Sequence, residues 1–589
     1  MSAKQFARAY HAGNFVEAEK LAIALVERDR RNAMAWQGLG AARLNQRRPQ
    51  EALQALETSL GYDADNAQTL YLLGKCQLAL NHWRAAVTRL SQAARLRPDH
   101  AYTQVQLAEA WQTLNDHEAA VVCIDRAWDL DNSNADILYR RIKIRGRARR
   151  MDGLLADCRH LIALRSNNPD YHNLVGSTYN DQGHFEQAEH HYREALRLDP
   201  QHAVAFSNRI FNAHYNPALS RAHILDLVLQ WRDTFEPRPR PSRQRASNRD
   251  EGRPLTIGLL SSGLRSHPVG QMITAALEHL SADDFQLIAY ATSNTEDHIS
   301  ARLRRISHRW HSVATARRDT LNSLIRDDQV DILIDLNGHA DGNRLRLLAD
   351  EPAPLLVKWV GGLVNTTGLE AIDYLISDSV ETPAGYDDQY LEKLIRMPDD
   401  YICYQPPRYA PAVEALPALR NGYVTFGCLN NPAKINPRLI DEWVRLMEEV
   451  PQSRLLLKGA QYGDADFRET LHEQFERRGI VRQRVRLEGP ENHTAFLDTY
   501  NRIDIALDPW PYSGGLTTCE ALLMGVPVIT LPGPTFAGRH AASHLVNAGL
   551  PELVVDSWDA YRARARDLAS DLDNLATVRR HLRDTLLQS

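Results

Sequence analysis

The stretch LDPWPYSGGLTTCEAL, residues 507–522, contains a strand end, a glycine turn and a helix start. The apolar run Ile503–Leu507 predicts a buried strand, which two prolines then end. Gly514–Gly515 lets the backbone turn close to a ligand. Thr517–Thr518 follows where a helix has unpaired N–H groups and the positive end of its dipole. The stretch therefore predicts an α/β domain, and its turn is either a phosphate-binding helix start or an ordinary capped helix.

The alternation of apolar strands and amphipathic helices extends outward from this stretch over two consecutive sets, residues 255–415 and 416–589. We interpret the two sets as nucleotide-fold lobes that face a cleft. Ligands of parallel sheets bind beyond the carboxyl ends of the strands, so the loops after the strands are the candidate sites. The predicted strands are Leu255–Ser261, Phe285–Ala291, Ile332–Asp335, Leu355–Trp359, Tyr374–Ser377, Tyr423–Cys428, Arg454–Leu457, Ile503–Leu507 and Val526–Leu531.

Residues 1–235 precede these lobes, and residues 32–201 among them follow a constant period of 34 residues. Such a period, with small, aromatic and proline residues at fixed positions, predicts tetratricopeptide repeats stacked as an α-solenoid. Residues 1–31 and 202–235 are predicted to cap it. The groove of a superhelix can hold an extended protein segment; a spacer, or a dimerisation arm of a homo-oligomer, is the alternative. The units are 32–65, 66–99, 100–133, 134–167 and 168–201.

The bulk composition excludes several classes of protein. The 589 residues carry 69 basic and 74 acidic side chains, a net charge of -5 that gives no global footprint for nucleic acid. The six cysteines show neither disulfide nor metal-ligand spacing, which predicts a reducing compartment and no structural metal. Met1–Ala24 mixes charged with apolar residues, which is typical of neither a signal peptide nor a membrane span. We therefore predict a cytoplasmic protein.

The segment EPRPRPSRQRASNRDEGRP, residues 236–254, separates the repeats from the first lobe. It is rich in proline and arginine and has almost no apolar side chain, so it cannot contribute to a core. The sequence predicts a solvated linker here, and a contact with nucleic acid or a membrane is the alternative.

Polar, glycine-containing loops follow the predicted strands of the first lobe. SSGLRSHPVG, residues 261–270, places His267 directly before a helix, and DLNGHADGNR, residues 335–344, places His339 after the next strand set. An imidazole there is a candidate proton acceptor or hydrogen-bond partner of a sugar or phosphate; a capping or surface histidine is the alternative. WVGGLVNTTG, residues 359–368, offers amides and hydroxyls suited to sugar or phosphate oxygens.

In the second lobe, LNNPAKINP, residues 429–437, places Lys434 between a strand and a helix. A lysine at that point is a candidate partner for a diphosphate, and an ordinary solvated lysine is the alternative. The negative charge of a bound diphosphate calls for fixed positive donors around it. Lys434, the helix start at Thr517–Thr518 and Arg539 are the candidates.

These blocks, together with DPWPYSGGLTTCEAL (508–522) and LPGPTFAGRHAASHL (531–545), resemble in their order the O-GlcNAc transferase family, including its plant SPINDLY-like and bacterial members. The resemblance implies tetratricopeptide repeats followed by an α/β glycosyltransferase of the GT-B type with two Rossmann-like lobes. It also implies inverting transfer of a sugar, with GlcNAc from UDP-GlcNAc as the first expectation, to protein Ser or Thr hydroxyls, without a metal or cofactor.

The resemblance further assigns roles to residues of the loops. His267 falls on the family's HP histidine, for which a base role has been proposed, and His339 is a weaker candidate base. Lys434 falls on the essential lysine that contacts the diphosphate, and Asn431 on the neighbouring amide. Gly361 belongs to the segment that contacts the donor sugar.

At the opening turn, Leu516 and Thr517 fall on two adjacent threonines near the phosphates, and Glu520 falls on an aspartate that binds the ribose. Four positions depart from the family pattern: Gly263 replaces an aspartate, Leu516 replaces a threonine, Glu520 is one methylene longer than the aspartate, and Leu363 lies where relatives have a GYPGT-like turn. The departures leave two alternatives open. One is a related transferase with another donor, such as GDP-fucose, and the other is a non-catalytic repeat scaffold that senses a nucleotide sugar.

Overall fold

The computed structural model describes residues 3–236, 252–362 and 365–589. Most of the predicted linker 236–254, and Leu363 with its neighbour Val364, lie outside the described residues. The chain divides into two compact units, Met1–Ser166 and Asn167–Ser589. Within the described ranges, no helix is long and apolar enough to cross a bilayer.

The first unit consists of helix pairs, and each predicted repeat within it supplies one pair. Asn32 and Asn66 cap the first helices of their repeats by accepting a backbone N–H three residues further on. A Cβ on Gly74 would overlap the side chain of Leu90, so glycine lets the paired helices approach. The repeat prediction is confirmed here, and residues 1–31 form a pair of their own. The helices are α1 (Ala3–His11), α2 (Phe15–Arg28), α3 (Ala33–Asn45), α4 (Pro49–Tyr62), α5 (Ala67–Ala79), α6 (Trp83–Leu96), α7 (Ala101–Thr113), α8 (His117–Leu130), α9 (Ala135–Arg147) and α10 (Leu154–Leu164).

The second unit begins with two more helix pairs, which are the predicted repeat 168–201 and the segment 202–235. The latter pair packs into the α/β region, because Val228 and Trp231 share one core with Leu260 and Tyr290 of the first sheet. The sequence placed a domain boundary after residue 235, whereas the compact units divide after Ser166. The helices are α11 (Pro169–Asp181), α12 (Phe185–Leu198), α13 (Ala203–Ala213) and α14 (Arg221–Phe235).

The first lobe is a seven-stranded parallel sheet in the order β3-β2-β1-β4-β5-β6-β7. Its central strand β1 is buried along nearly its whole length, as expected for a strand covered on both faces. The strands are β1 (Leu255–Ser261), β2 (Phe285–Ala291), β3 (Arg309–Ser312), β4 (Ile332–Asp335), β5 (Leu355–Lys358), β6 (Tyr374–Asp378) and β7 (Lys393–Met397), and the helices are α15 (Pro268–Glu278), α16 (His298–Ile306), α17 (Arg318–Asp327) and α18 (Leu345–Leu348).

The second lobe is a five-stranded parallel sheet in the order β10-β9-β8-β11-β12. Because β8 and β11 are neighbours, the loops that follow them meet at one edge. The strands are β8 (Thr425–Cys428), β9 (Arg454–Lys458), β10 (Val485–Glu488), β11 (Ile505–Leu507) and β12 (Val528–Ile529), and the helices are α19 (Pro417–Asn421), α20 (Pro437–Glu449), α21 (Ala465–Glu476), α22 (His493–Asp498), α23 (Leu516–Leu523), α24 (His540–Asn547), α25 (Trp558–Ser570) and α26 (Leu572–Gln588).

Candidate active site

A buried carboxylate, that of Asp508, holds the glycine turn between β11 and α23. Asp508 accepts hydrogen bonds from the Gly514 N–H at 2.7 Å and from the Thr530 hydroxyl at 2.7 Å. A Cβ on Gly514 would lie 2.8 Å from the Thr517 hydroxyl oxygen and 3.0 Å from Asn430 Oδ1, so a side chain would push this turn apart. Gly515 then precedes α23 without a capping side chain. The Thr518 N–H is taken by the Gly515 carbonyl at 2.9 Å, so the N–H groups of Leu516 and Thr517 are those left to a ligand.

Lys434 lies beside this turn, in the loop after β8. Its Nζ donates to the Ser513 carbonyl at 2.6 Å and to Asn430 Oδ1 at 3.4 Å, and it lies 4.3 Å from the centre of the Tyr512 ring. Burial lowers the pKa of Lys434 to about 8, so it is an ammonium at neutral pH. The structure therefore brings the predicted lysine and the predicted helix start together.

The three predicted side chains at the start of α23 differ in what they can offer. The Thr517 hydroxyl donates to Asn430 Oδ1 at 2.9 Å and lies within the same polar group as Lys434. The Thr518 hydroxyl is buried and donates to the Gly514 carbonyl at 3.1 Å, and its backbone N–H donates to the Gly515 carbonyl at 2.9 Å, so both donors are used within the turn. Leu516 packs against the apolar cluster of the first lobe that contains Met272. Leucine in place of threonine therefore adds to the contact between the lobes.

Glu520, the predicted ribose ligand, belongs to a chain of hydrogen bonds that the sequence did not predict. Its Oε1 accepts from His493 Nε2 at 2.8 Å, and His493 Nδ1 contacts the Tyr409 hydroxyl at 2.8 Å. Burial raises the pKa of Glu520, and the hydrogen bond from His493 opposes that rise. Tyr409 and His493 line an open cavity of about 710 Å³ at this point.

The amide of Asn431 is engaged by its own loop and by a neighbour. Its Oδ1 accepts from the Ala433 N–H at 3.1 Å and from Gln461 Nε2 at 2.9 Å. Gln461 also donates to the Asp181 carbonyl at the end of α11, at 2.6 Å. Gln461 thus links the lysine loop to the helix pair of residues 168–201, and the sequence analysis missed it.

His267 is the N-cap of α15, the helix that begins on the first lobe's side of the site. Its Nδ1 accepts the Val269 N–H at 3.3 Å, so the proton of the neutral ring is carried by Nε2. Burial, with Arg265 nearby, lowers the pKa of His267 to about 4. This tautomer makes Nε2 a hydrogen-bond donor, which suits the predicted role as a hydrogen-bond partner, and the role as a proton acceptor stays a prediction.

The departure at Gly263 follows from the position of the same ring. A Cβ on Gly263 would lie 2.9 Å from His267 Nδ1 and 2.9 Å from the Val269 Cβ. An aspartate at this position would displace the imidazole from its cap.

Gly361 packs against the same helix from the loop after β5. A Cβ at this position would overlap the Leu336 carbonyl and would lie 2.5 Å from Val269 Cγ2. The two lobes meet nearby, because a Cβ on Gly515 would lie 3.6 Å from Met272 of the same helix. The helix start capped by His267, the Gly361 loop and the Gly514–Gly515 turn thus form one region between the lobes.

His339 does not belong to this region, and its prediction as a base was wrong. The side chain is 2% exposed, and both ring nitrogens are occupied, Nδ1 by the Ser207 hydroxyl at 3.0 Å and Nε2 by the Thr367 carbonyl at 2.9 Å. Trp231 stacks edge-on against the ring at 5.1 Å. His339 fastens α13 and α14 to the first lobe.

Arg539 also points away from the glycine turn, since its Nε donates to the Val380 carbonyl of the first lobe at 2.7 Å. The helix that follows it, α24, joins the lobes through His540, which lies 2.6 Å from Glu381, and His544, which lies 2.6 Å from Asp400. The sequence did not predict these contacts, because the paired residues lie far apart in the chain.

No metal site is found among the described residues, since no group of three or more His, Cys, Asp or Glu side chains there is arranged to hold an ion.

Two parallel sheets with helices on both faces, joined across a region that contains a lysine and a glycine-started helix, define a two-lobed α/β protein of the GT-B type. The sequence profile of Glycosyl transferase family 41 matches residues 226–406 and 414–589. The chain belongs to this family. Profiles of the tetratricopeptide repeat match residues 4–68, 43–108 and 169–202.

Individual relatives agree with this assignment. The chain is 35% identical over 400 residues to a Petunia hybrida protein named probable UDP-N-acetylglucosamine–peptide N-acetylglucosaminyltransferase SPINDLY, with 67% of this chain and 43% of the relative covered. It is 27% identical over 345 residues to the Arabidopsis thaliana protein SEC of the same enzyme name, covering 56% of this chain and 35% of that one. The chain thus spans less than half the length of these relatives. A solved structure, that of a mutant of Thermobaculum terrenum O-GlcNAc transferase, matches with a TM-score of 0.77 and 33% identity over 83% of this chain and 93% of that one.

Proposed function

We propose that this chain is an inverting glycosyltransferase that moves a sugar from a nucleotide diphosphate, with UDP-GlcNAc as the first candidate donor, to Ser and Thr hydroxyls of proteins. The observation that carries the proposal is the Lys434 ammonium, which lies 2.6 Å from the Ser513 carbonyl beside the start of α23. A cation and a helix N-terminus together suit the charge that develops on a departing diphosphate. Membership of the family and the names of the relatives support the same reaction.

Each group of the site has a role in this proposal. Lys434 and the first N–H groups of α23 stabilise the leaving diphosphate, and Glu520 accepts from the ribose hydroxyls. His267, as a donor through Nε2, holds a substrate oxygen while the acceptor hydroxyl attacks the anomeric carbon. The bond from that carbon to the diphosphate breaks, its electron pair leaves with the nucleotide, and the hydroxyl proton passes to water. We propose that these fixed donors make a metal unnecessary. Acceptor proteins would bind the repeats, and homo-oligomerisation stays a prediction, as does the cytoplasmic location.

Intact-mass analysis of acceptor proteins incubated with a panel of nucleotide sugars tests the function directly. A mass increase equal to one sugar residue with one donor identifies both activity and donor, and competition by UDP against GDP separates a UDP-sugar from a GDP-fucose enzyme. If UDP or GDP binds but no donor yields product, the chain is a nucleotide-sugar sensor and the proposal is wrong.

The pH dependence of kcat/KM for the donor follows from three groups. Lys434 loses its charge as the pH rises through about 8, and His267 gains a proton as it falls through about 4. Burial raises the pKa of Asp508, which accepts the Gly514 N–H, to about 7, so protonation of this carboxylate weakens its support of the turn. We therefore expect the highest kcat/KM between about 7 and 8 and a fall on either side. Initial rates of wild type and Lys434→Arg check this, because a guanidinium stays charged and should remove the alkaline limb. An alkaline limb that persists in Lys434→Arg would contradict its assignment to Lys434.

Replacing Glu520 with alanine should weaken binding of the donor nucleotide. Hydrogen bonds to a buried carboxylate contribute about 1.5–3 kcal/mol, so we expect the Kd for UDP to rise about tenfold to a hundredfold. Isothermal titration gives this Kd. The exposed Glu448 in α20 supplies the control, as Glu448→Ala should leave it unchanged. Equal affinities of the Glu520→Ala variant and wild type would remove Glu520 from the nucleotide site.

A further inference from the structure

A wholly buried lysine lies at the end of β5, just before the Gly361 loop. Lys358 is 0% exposed, and its Nζ donates to the carbonyls of Asp335 at 3.1 Å, Trp359 at 3.2 Å and Gly361 at 2.5 Å. The Asp335 carboxylate lies 3.4 Å away. Burial lowers the pKa of Lys358, since a buried ammonium is unfavourable unless polar groups surround it. An apolar side chain would fill this place more easily, so the lysine needs another reason.

The reason lies in the backbone turn whose carbonyls accept hydrogen bonds from the Lys358 ammonium. Val360 has φ +46°, a conformation that a β-branched residue rarely adopts, and Gly362 has φ +64°. This turn points the carbonyls of Trp359, Val360 and Gly361 toward one point, which is occupied by Lys358 Nζ. Without a cation there, the converging carbonyl dipoles would repel one another. Lys358 therefore stabilises a backbone shape that the sequence alone disfavours.

The same side chain lies between two loops of the first lobe. A Cβ on Gly338 would lie 2.6 Å from the Gly362 carbonyl oxygen and 3.1 Å from Lys358 Cε, and a Cβ on Gly362 would overlap the Asn337 carbonyl. The loops after β4 and β5 thus touch through their backbones. Since Gly361 also lies against Val269, a shift of this turn reaches the helix start that His267 caps.

A buried charge of the opposite sign holds the far end of the same loop. Glu392 is 3% exposed and accepts from the Thr367 N–H at 2.8 Å, from the Thr366 hydroxyl at 2.6 Å and from the Thr367 hydroxyl. These threonines lie next to Gly368, with φ +79°, where the chain turns toward β6.

We propose that Lys358 and Glu392 are positioning residues for the transfer reaction, which hold residues 358–362 and 365–368 in the shape that faces the donor sugar. This role rests on the proposed function, because the donor gives the shape its purpose. Neither residue contacts the reacting atoms in this assignment. Lys358 fixes the first end against the helix of His267, and Glu392 fixes the second end against β7.

Lys358→Met in the full chain tests the proposal, because methionine fills a similar volume without donors. Misplacing a positioned group by about 1 Å lowers turnover about a hundredfold, so we expect a loss of that size in kcat with little change in the Kd for UDP. In the free protein, hydrogen exchange measured by mass spectrometry should become faster in peptides covering 358–368 and stay the same around β11 and α23. Lys458→Met, which removes another buried lysine paired with Glu488 and Glu491, is the matched control and should change neither.

Glu392→Gln is the second variant and tests the positioning role without changing Lys358. Glutamine has the same shape as glutamate but no charge. Hydrogen exchange around Thr366 and Thr367 should become faster in this variant, and kcat should fall, as in Lys358→Met. Unchanged exchange at 358–368 in both variants, or full kcat in folded Lys358→Met, would overturn the positioning role. Absence of transfer by wild type would count against the proposed function alone, and the exchange data would still decide whether the two charges hold the loop.

Discussion

Replacing Lys434 with alanine is expected to lower kcat by about 10³-fold, because removing one preorganised donor from a site of developing negative charge has cost that much in other enzymes. The Lys434 ammonium is the cation that contacts the Gly514–Gly515 turn, through the Ser513 carbonyl at 2.6 Å. Folding should be little affected, since Asp508 still holds the turn through the Gly514 N–H. Single-turnover rates at saturating donor, with far-UV circular dichroism of the same sample, measure the loss separately from folding.

Lys393→Ala is the matched control for this change. Lys393 is an exposed lysine at the start of the edge strand β7, so its removal should leave kcat unchanged. Lys434→Arg should retain part of the activity, because the charge remains while its position shifts. A kcat close to wild type in Lys434→Ala would refute the assignment of the diphosphate site.

The sequence predicts the strands that are apolar and buried, and it misses the others. All nine predicted strands are present, with ends that are shifted by a few residues at most, as for the strand predicted at 355–359 and found at Leu355–Lys358. The three missed strands, β3, β7 and β10, are all outermost in their sheets. β7, for example, alternates exposed and half-buried residues along KLIRM and so lacks the continuous apolar run of a central strand. Edge strands are defined by their neighbours more than by their own composition.

The residues of the candidate site also fall into those that the sequence could predict and those that it could not. Lys434 and Thr517 were predictable together because each follows an apolar strand, and the carboxyl ends of neighbouring parallel strands meet. His339 also follows a strand, but α13 and α14 cover that loop with Ser207 and Trp231, which lie far from it in the chain. His493 and Gln461 lie outside the glycine-containing blocks, so no local pattern pointed to them. Side chains that act through a partner distant in sequence need the fold to be found.

Trp231→Ala should destabilise the α/β unit, and it tests whether α14 belongs to that unit. Trp231 is 0% exposed and shares a core with Leu260, Tyr290 and Leu333 of the first sheet. Truncating a buried tryptophan lowers the free energy of unfolding by about 3–5 kcal/mol. Hydrogen exchange in mild denaturant should show the loss of protection in residues 252–362 and leave residues 3–166 unchanged.

Val204→Ala provides the comparison, because Val204 lies on the neighbouring helix α13 but is 52% exposed, and its truncation should alter protection in neither unit. Were α14 the cap of an independent repeat domain, as the sequence suggested, Trp231→Ala would loosen the repeats and spare the first sheet. The structure predicts the reverse, since Trp231 of α14 packs in one core with Leu260 of β1 and meets the His339 ring edge to face. Because His339 in turn fixes the loop that touches Gly362, the last helix pair supports the loop proposed to face the donor as well as the fold.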